Sequence, residues 1–490
     1  MTDALSARAA FFRAFPCIAV AIFVSAIDQT ITATALPAMA RHFGVVERIS
    51  WVVVAYLVAA TISAPVFGKL GDAFGRRRMI FVAFGLQALG SLSAGFAPNF
   101  EALLAARILH GFGGGALLTL AMALIGESVP PRERGRYQAY LVACFMSAAA
   151  AGPLAGGWLT QHWGWQWVFL TGLPFVAVGV VAALRLPRHG AESGSFRFDA
   201  VGTLLFTLFV LALLLTMDRL QRLSVDALLV AAPLFAIAVG ALLLLLRAER
   251  RAADPLLPLW LFTHPVIWRT NLLSACVAGV MVAIISLAPL YLTVVRDVPI
   301  ATVGAMLLPN SLGGGLGALV SGNFLARTGR NMLLPSISLG LSCLTLGLLS
   351  FTLDDISLGA LPWLLAIASF GFGCSFPAVQ ITVQAAAGVS RVGIATASVQ
   401  FTRNLGAATG TALLSAVIFG AFALADPPLA ASFAETMRGG RQALALLSES
   451  DRLAMAAGLA GGFKAMFACA AVIMGIATVL AWRVPLRRIG

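Results

Sequence analysis

Apolar residues are grouped in long blocks along the whole chain, and short stretches rich in arginine separate the blocks. A block of about twenty residues is long enough for a helix to cross the ~30 Å hydrocarbon core of a bilayer. The pattern predicts about fourteen transmembrane helices, near residues 15–37, 50–68, 79–97, 101–126, 136–160, 166–185, 199–217, 225–247, 270–295, 301–325, 332–352, 360–387, 393–424 and 462–482.

Composition excludes an ordinary soluble protein, because 60% of the 490 residues are hydrophobic and only 11% are charged. The net charge of +13 does not indicate a nucleic-acid partner, since the arginines lie between the apolar blocks and form no recognised binding motif. The one sizeable outer loop is expected near residues 425–461, with some helical content.

Loop charge predicts the orientation in the membrane. Most lysines and arginines outside the predicted helices lie on the side that carries the N-terminus, and positive residues are retained in the cytoplasm. Residues 68–76 are weakly repeated at 322–330, which indicates two related halves. The expected fold is an all-α integral membrane protein with both termini cytoplasmic: an N-terminal six-helix bundle (1–185), two inserted helices with their linkers (186–268) and a C-terminal six-helix bundle (269–490).

The sequence contains no motif that indicates a cofactor. All six cysteines fall inside apolar blocks, without a CxxC pair or a His/Cys cluster of metal-binding spacing. We therefore expect neither a disulfide nor a metal. A Walker lysine motif is also absent from the sequence, which argues against ATP as the source of energy.

The loop after the second predicted helix, GKLGDAFGRRR at residues 68–78, resembles the signature loop between helices two and three of the major facilitator superfamily. The resemblance implies a cytoplasmic latch that holds the two halves together in the outward-open state, formed by Gly68, Asp72, Gly75, Arg76, Glu127 and Arg134. The second copy has Ala326 in place of the acid, so the first half should carry the strong latch. The simpler interpretation is a tight turn in a positively charged loop.

Two further segments resemble signatures of the same superfamily. In RILHGFGGGA at residues 107–116, the resemblance implies that the membrane-embedded Arg107 assists proton transfer. An arginine that snorkels to the interface is the alternative. The segment AAGPLAGG at 150–157 resembles the signature that marks antiporters, which implies a hinge and seal. Its hinge residues are Gly152, Pro153, Gly156 and Gly157, and plain helix packing is the alternative.

Asp28 is the only acid deep inside a predicted span. Its surroundings, IDQTITATALP at residues 27–37, resemble the first-helix signature of the fourteen-span drug:proton antiporter branch. Burial disfavours a charged carboxylate, so Asp28 could load and release a proton, with Arg107 as its partner. A purely structural Asp–Arg pair is the alternative. Candidate contacts for substrate or lipid are His110, Arg403 and Gln384.

The sequence therefore predicts a secondary active exporter that exchanges protons for small amphiphilic compounds across a bacterial inner membrane. Its expected partners are an amphiphilic small molecule and the lipid bilayer, with no nucleic acid, and a monomer is expected. Whether a periplasmic adaptor takes part stays open. The alternatives are an exporter dedicated to a single amphiphile or lipid and, from another class, a membrane enzyme or sensor.

Overall fold

Helices make up the regular structure of the described residues, which confirms the expected all-α fold. The computed structural model describes residues 2–45, 48–49, 51–130, 133–187, 199–220, 225–252, 254–388, 391–429 and 449–488. Within these ranges, the only strand-like pairing is an isolated bridge between Arg330 and Arg488.

The N-terminal part and the inserted segment contain nine helices within the described residues. They are α1 (Thr2–Phe43), α2 (Trp51–Phe74), α3 (Arg76–Gly95), α4 (Phe100–Ser128), α5 (Arg134–His162), α6 (Gln166–Leu170), α7 (Gly172–Leu184), α8 (Ala200–Leu220) and α9 (Val225–Glu249). Local signals set some of the ends. Gly75 adopts a left-handed backbone (φ 88°) between α2 and α3, and the Asn99 side chain accepts a hydrogen bond from Ala102 N at the start of α4.

The C-terminal part contains seven described helices and one π-helical turn. They are α10 (Trp260–Thr263), α11 (Pro265–Leu290) with the π-turn Tyr291–Val295, α12 (Ile300–Thr328), α13 (Leu333–Thr352), α14 (Leu361–Ala387), α15 (Val392–Ala425) and α16 (Glu449–Arg483). Gly329 ends α12 in the left-handed region.

Thirteen helical segments among the described residues are long and apolar enough to cross a membrane. Helix α5, at the place of the fifth predicted span, is not one of the thirteen, but its 29 residues extend about 43 Å at 1.5 Å per residue. All fourteen predicted spans therefore correspond to helices. Large apolar side chains such as Leu344 (72% exposed) and Val472 (65% exposed) point away from the protein, as expected for a multi-pass membrane protein.

The first, sixth and fourteenth predicted spans differ most from the helices observed, and α16 begins at Glu449 rather than near 462. Helix α1 begins at Thr2, well before the apolar block, because its first turns pack on α5: the rings of Phe11 and Tyr137 have centroids 4.1 Å apart. The sixth span divides at Thr171. There the Thr171 hydroxyl bonds the carbonyl of Trp167 (2.6 Å), and Pro174 has no N–H to continue the helix ladder.

Buried apolar side chains form separate cores in the two halves. Two cores draw only on the segment from α1 to α7, and one draws only on the segment from α10 to α16. A further core joins the inserted helices α8 and α9 to α2 and α15, where Phe206 packs on Phe401 with ring centroids 5.1 Å apart. The inserted pair therefore lies against the seam between the halves.

The residue limits of the three parts stay predictions. The linker at 188–198 and residues 430–448 of the predicted outer loop near 425–461 lie outside the described residues. Residues 449–461 of that loop are helical and form the first turns of α16.

Candidate functional site

A buried ion pair joins α1 and α4. Both carboxylate oxygens of Asp28 lie 3.0 Å from Nη1 of Arg107, and the two residues are 5% and 1% exposed. The predicted partners are therefore in direct contact. An ion pair in this setting is costly to desolvate, so its stability depends on further hydrogen bonds to both groups.

Arg107 does not snorkel to the membrane interface. Its Nε donates to the carbonyl of Val52 in α2 (3.0 Å), and its guanidinium lies over the rings of Tyr56 (4.5 Å to the centroid) and Phe169 (5.4 Å). These contacts hold the cation at one position between α2, α4 and α6. Interfacial snorkelling is thus excluded for the conformation seen here.

His110, one turn after Arg107, extends the ion pair into a chain of polar contacts. Its Nδ1 lies 3.0 Å from Arg107 Nη1 and 3.5 Å from Asp28 Oδ1. Its Nε2 lies 2.7 Å from the side-chain amide of Gln87 and 3.2 Å from Ser91 Oγ, both in α3. We call these five residues the Asp28 cluster. His110 therefore connects the carboxylate to α3, a link that the sequence analysis missed.

A narrow cavity of about 20 Å³ opens beside the Asp28 cluster, with room for about one water molecule. Its walls come from α1, α3, α4, α6 and α7, and include Asp28, His110 and Phe175. No described residue of the C-terminal half lines it. The carboxylate thus borders a small, largely apolar cavity on the side of the bundle formed by α3 and α7, away from the seam.

The acid and base of the predicted latch form a compact triad at the predicted cytoplasmic ends of α2, α3 and α4. Arg76 Nη2 bonds Asp72 Oδ1 in a short contact, and Arg76 Nε donates to Glu127 Oε1 (2.6 Å). The Arg76 side chain is 4% exposed. Charge-assisted hydrogen bonds of this kind are the strong class, so the triad ties the three helix ends together.

Asp72 also reaches across the seam to the other half. Its two carboxylate oxygens accept hydrogen bonds from the backbone N–H groups of Gly393 and Ile394 (3.1 Å each), in the first turn of α15. A carboxylate is favoured at a helix N-terminus, where the N–H groups lack helical partners. The predicted latch residue is therefore a cap for a helix of the opposite half.

Glycines allow α2 and α15 to approach at this point. A Cβ placed on Gly68 would lie 2.8 Å from the Gly393 carbonyl oxygen, and a Cβ on Gly393 would meet Gly68, Asp72 and Arg76. Gly68 was predicted from the sequence, whereas Gly393 was not. The only sequence signal for Gly393 is its position at the start of an apolar block, opposite a helix end that the chain order does not reveal.

Arg134 lies near the triad but bonds neither Glu127 nor Asp72. Its Nε donates to the Val129 carbonyl (2.8 Å), its Nη2 makes a short contact with the Gly126 carbonyl, and its Nη1 reaches Gln384 Oε1 (3.4 Å). Arg134 thus binds the carbonyl groups at the end of α4, where the helix dipole favours a cation.

The structure places Gln384 in the seam rather than beside Arg403. Its Nε2 donates to Thr396 Oγ1 (2.9 Å) and to the Met122 carbonyl (3.3 Å). Together with the Asp72 contacts, this side chain closes the seam between the halves at the predicted cytoplasmic end.

Arg403 of α15 forms no ion pair with the described residues. Its Nη1 donates to Gln400 Oε1 (3.1 Å), its guanidinium lies 4.5 Å from the ring centroid of Phe376, and its Nε is buried without a hydrogen-bond partner among the described residues. The unmatched Nε leaves Arg403 with capacity to bind a further acceptor.

The predicted hinge glycines pack α5 onto α1. A Cβ on Gly152 would collide with Thr30 Oγ1, and a Cβ on Gly156 would collide with Thr34 Oγ1, whereas Gly157 faces open space. Pro153 lies within α5, and its side chain is outside what the structure describes. The two threonines belong to the same first-helix segment as Asp28, so α5 rests directly on the helix that carries the buried acid.

The described residues contain no group of three or more His, Cys, Asp or Glu side chains that could hold a metal ion. Fold and site together are those of a membrane transporter built from two helical halves, with buried charge in one half and a closed seam at one end.

Comparison with known proteins identifies the family. The profile of the Major Facilitator Superfamily matches residues 18–411. The multidrug transporter protein MdtP of Bacillus subtilis is 28% identical over 410 residues, which cover 81% of this chain and 74% of that protein. The uncharacterised MFS-type transporter Rv1877 of Mycobacterium tuberculosis is 33% identical over 411 residues, which cover 82% of this chain and 59% of that one.

The fold matches solved structures of the same kind. The human organic anion transporter MFSD10 superposes with a TM-score of 0.65 at 15% identity, covering 96% of this chain and 99% of that chain. The chain belongs to the major facilitator superfamily. It is a transporter and not an enzyme.

Proposed function

We propose that the chain is a proton-coupled exporter of small amphiphilic compounds in the bacterial inner membrane, from the fourteen-span drug:proton antiporter branch. We further propose that it works as a monomer, with protons as the coupling ion and no other cofactor. The observation that carries the proposal is the buried Asp28 carboxylate, which is held by Arg107 and, together with His110, lines a cavity with room for about one water molecule.

Proton uptake on Asp28 changes the balance of charge in the Asp28 cluster. With the carboxylate ionised, Arg107 has a counter-charge at 3.0 Å. With the carboxylate neutral, Arg107 keeps its charge in a buried position without compensation, which is strongly unfavourable. Protonation therefore destabilises the arrangement seen here and favours one in which Arg107 reaches water or an acceptor.

The cavity beside Phe175 supports a route for that proton. It contacts both Asp28 and His110, and its walls belong to the N-terminal half within the described residues. A water molecule here would pass a proton to the carboxylate outside the seam between the halves. Substrate and proton would then compete through the charge of Arg107.

Contacts of α1 with α5 provide a link from protonation to conformation. Thr30 and Thr34, on the helix of Asp28, pack into Gly152 and Gly156 of α5. Helix α5 packs in turn on α12 of the other half. A small shift of α1 after proton uptake therefore presses on a contact between the halves, as alternating access requires.

The names of relatives favour export, and the name of MdtP favours drugs as substrates. The efflux pump dotC of Dothistroma septosporum is 31% identical over 404 residues, which cover 80% of this chain and 68% of that protein. The second candidate is export of a single amphiphile or lipid, and the buried free Nε of Arg403 favours an acidic headgroup in that case.

The test uses the purified protein in proteoliposomes with an acidic lumen and a panel of lipophilic cations, neutral compounds and acidic amphiphiles. The unmodified protein should accumulate substrate in the lumen. Asp28→Asn keeps the shape of the side chain but cannot titrate and keeps only one acceptor oxygen for Arg107, so gradient-driven accumulation should be lost while substrate exchange without a gradient remains. The control is Asp355→Asn, an exposed acid on an outer loop. Undiminished accumulation by Asp28→Asn would refute proton coupling through this residue.

A further inference from the structure

A second cavity lies at the predicted cytoplasmic end of the C-terminal half, far along the chain from the Asp28 cluster. Its volume is about 250 Å³. The walls come from the segment between α12 and α13, the first turn of α13 and the end of α16 with the residues that follow it. Three arginines, Arg330, Arg487 and Arg488, and one tryptophan, Trp482, line it together with Ser336.

Backbone contacts place the three arginines together. Arg330 and Arg488 form the isolated bridge, the N–H of Asn331 bonds the Arg487 carbonyl (3.4 Å), and Arg487 Nη2 donates to the Trp482 carbonyl (2.8 Å). The C-terminal residues are thus folded back against the start of α13. The arginines converge because of this contact and not because of their spacing in the sequence.

Among the described residues, no carboxylate forms an ion pair with Arg330, Arg487 or Arg488. Residues 269–490 contain seven acids, and the six that the structure describes fall in or beside connections at the opposite end of the helices. These six are Asp297, Asp354, Asp355, Asp426, Glu449 and Asp451, whereas Glu435 lies outside the described residues. The described residues therefore give the cavity a positive potential.

The start of α13 adds to this potential. Helix α13 begins at Leu333 without a side-chain cap, so the N–H groups of its first turn and the positive end of its dipole lie at the cavity wall. Trp482 is 44% exposed at the end of α16, where tryptophan marks the boundary between hydrocarbon and headgroups. Arginines and a helix start thus meet at the level of the phospholipid phosphates.

We propose that this cavity binds a phosphate group, supplied at the membrane edge by the headgroup of an anionic phospholipid. Three guanidinium groups supply planar pairs of donors that match phosphate oxygens. The acyl chains of such a lipid would lie along the apolar surface of α13 and α16, where Leu344 and Val472 are exposed. Basic pockets between helices on the cytoplasmic side are suited to lipids of this class. The bound headgroup would fasten the C-terminal residues to α13.

The experiment measures lipid binding to the purified full chain in neutral detergent at constant ionic strength. The probes are short-chain phosphatidylglycerol, short-chain phosphatidylcholine and inorganic phosphate. The unmodified protein should bind phosphatidylglycerol at least about tenfold more tightly than phosphatidylcholine. The triple variant Arg330→Gln, Arg487→Gln and Arg488→Gln should lose about tenfold or more of that affinity. The matched control is Arg185→Gln, an exposed arginine on the same predicted side outside the cavity.

Inorganic phosphate separates the two sources of the anion. Competition by phosphate at millimolar concentration would show that free phosphate also fills the site, whereas binding of phosphatidylglycerol without such competition would assign it to lipid alone. Equal binding by the triple variant and the Arg185→Gln control would overturn the proposal. If the triple variant fails to elute as a single species, Arg330→Gln and Arg488→Gln are tested separately, and unchanged affinity in both would overturn it equally.

Discussion

Arg107 is the residue on which the Asp28 cluster depends. One terminal nitrogen contacts both Asp28 and His110, Nε holds the Val52 carbonyl, and the planar group lies over Tyr56. A lysine has a single ammonium group and no Nε, so it can make only part of this set. The charge alone therefore does not define the site.

Arg107→Lys should accordingly fail although it preserves the charge. We expect gradient-driven transport to fall by about tenfold or more, because the lysine leaves Val52 or His110 without its partner in a buried position. The measurement is initial rate of transport in proteoliposomes, with Arg185→Lys as a control at an exposed position. A rate for Arg107→Lys within about twofold of the unmodified protein would show that a point charge is sufficient.

At the closed end of the seam, a few side chains join the ends of whole helices. The triad of Asp72, Arg76 and Glu127 joins three helix ends of the N-terminal half, and the Asp72 carboxylate caps α15 of the other half. The cap exists only while the seam is closed at this end. It therefore stabilises one conformation selectively, as a latch requires.

Asp72→Asn should shift that equilibrium. The amide cannot form an ion pair with Arg76, and it has one acceptor oxygen where the carboxylate has two. A hydrogen bond to a charged group contributes roughly 1.5–3 kcal/mol. We expect the population with a closed seam to fall about tenfold. Distances between spin labels at the predicted cytoplasmic ends of α2 and α15 would report it. An unchanged distance distribution would mean that Asp72 does not act as the latch.

The packing of α5 on α1 offers a pair of matched glycines. Gly152 has no space for a Cβ beside Thr30, whereas Gly157 faces open space in the same helix. Alanine has the higher helix propensity at both positions. Only the position in the interface should therefore show a penalty.

We expect Gly152→Ala to lower transport and to lower the melting temperature, because α5 must move away from α1. Gly157→Ala should leave transport unchanged. It should leave the melting temperature unchanged or raise it slightly, since the free energy of unfolding would rise by up to about 1 kcal/mol. Transport rates and thermal unfolding of the purified variants provide the readouts. Similar behaviour of the two variants would remove Gly152 from the coupling between α1 and α5.

At the scale of the whole molecule, buried charge sets the expected substrates. Away from the helix ends, the described spans contain one acid, Asp28, against the two arginines Arg107 and Arg403, and Asp28 is already paired with Arg107. A rigid divalent cation would therefore find no free carboxylate in the spans described here. We expect neutral, monocationic or acidic amphiphiles to be preferred.

Competition at fixed pH between a monovalent lipophilic cation and a rigid divalent one provides the measurement. Binding of the divalent compound that is tighter by more than about tenfold, some 1.4 kcal/mol, would contradict this expectation. It would also mean that an acid outside the described spans reaches the substrate.

The inserted pair has a role at the same scale. Lys69, inside the latch segment of α2, binds the Pro255 carbonyl (2.8 Å) and makes a short contact with the Asp254 carbonyl. The same segment after α9 is held by two carboxylates. Asp199 accepts a hydrogen bond from the N–H of Leu256, and Glu249 accepts one from the N–H of Leu257. Helices α8 and α9 are thus attached to the predicted cytoplasmic end of α2.

The sequence alone was sufficient for the fold class and for the location of most helices. Blocks of apolar residues must become helices in lipid, because a spanning segment has no other way to satisfy its backbone groups. The contrast between Asp28 and its apolar surroundings also marked the buried acid, since an uncompensated charge is rare at that depth. Arg107 was the expected partner of Asp28, and the contact between them in the structure agrees.

The partners of those residues were decided only by tertiary structure. Gln87, Ser91 and Gly393 look like ordinary polar or small residues of apolar helices, and nothing in their neighbours along the chain indicates His110 or Asp72. Gln384, grouped with Arg403 on polarity alone, lies instead in the seam. A helical pattern determines which residues share a face, whereas the identity of the facing helix depends on how sixteen described helices pack together. That packing is a property of the whole chain, so local sequence does not contain it.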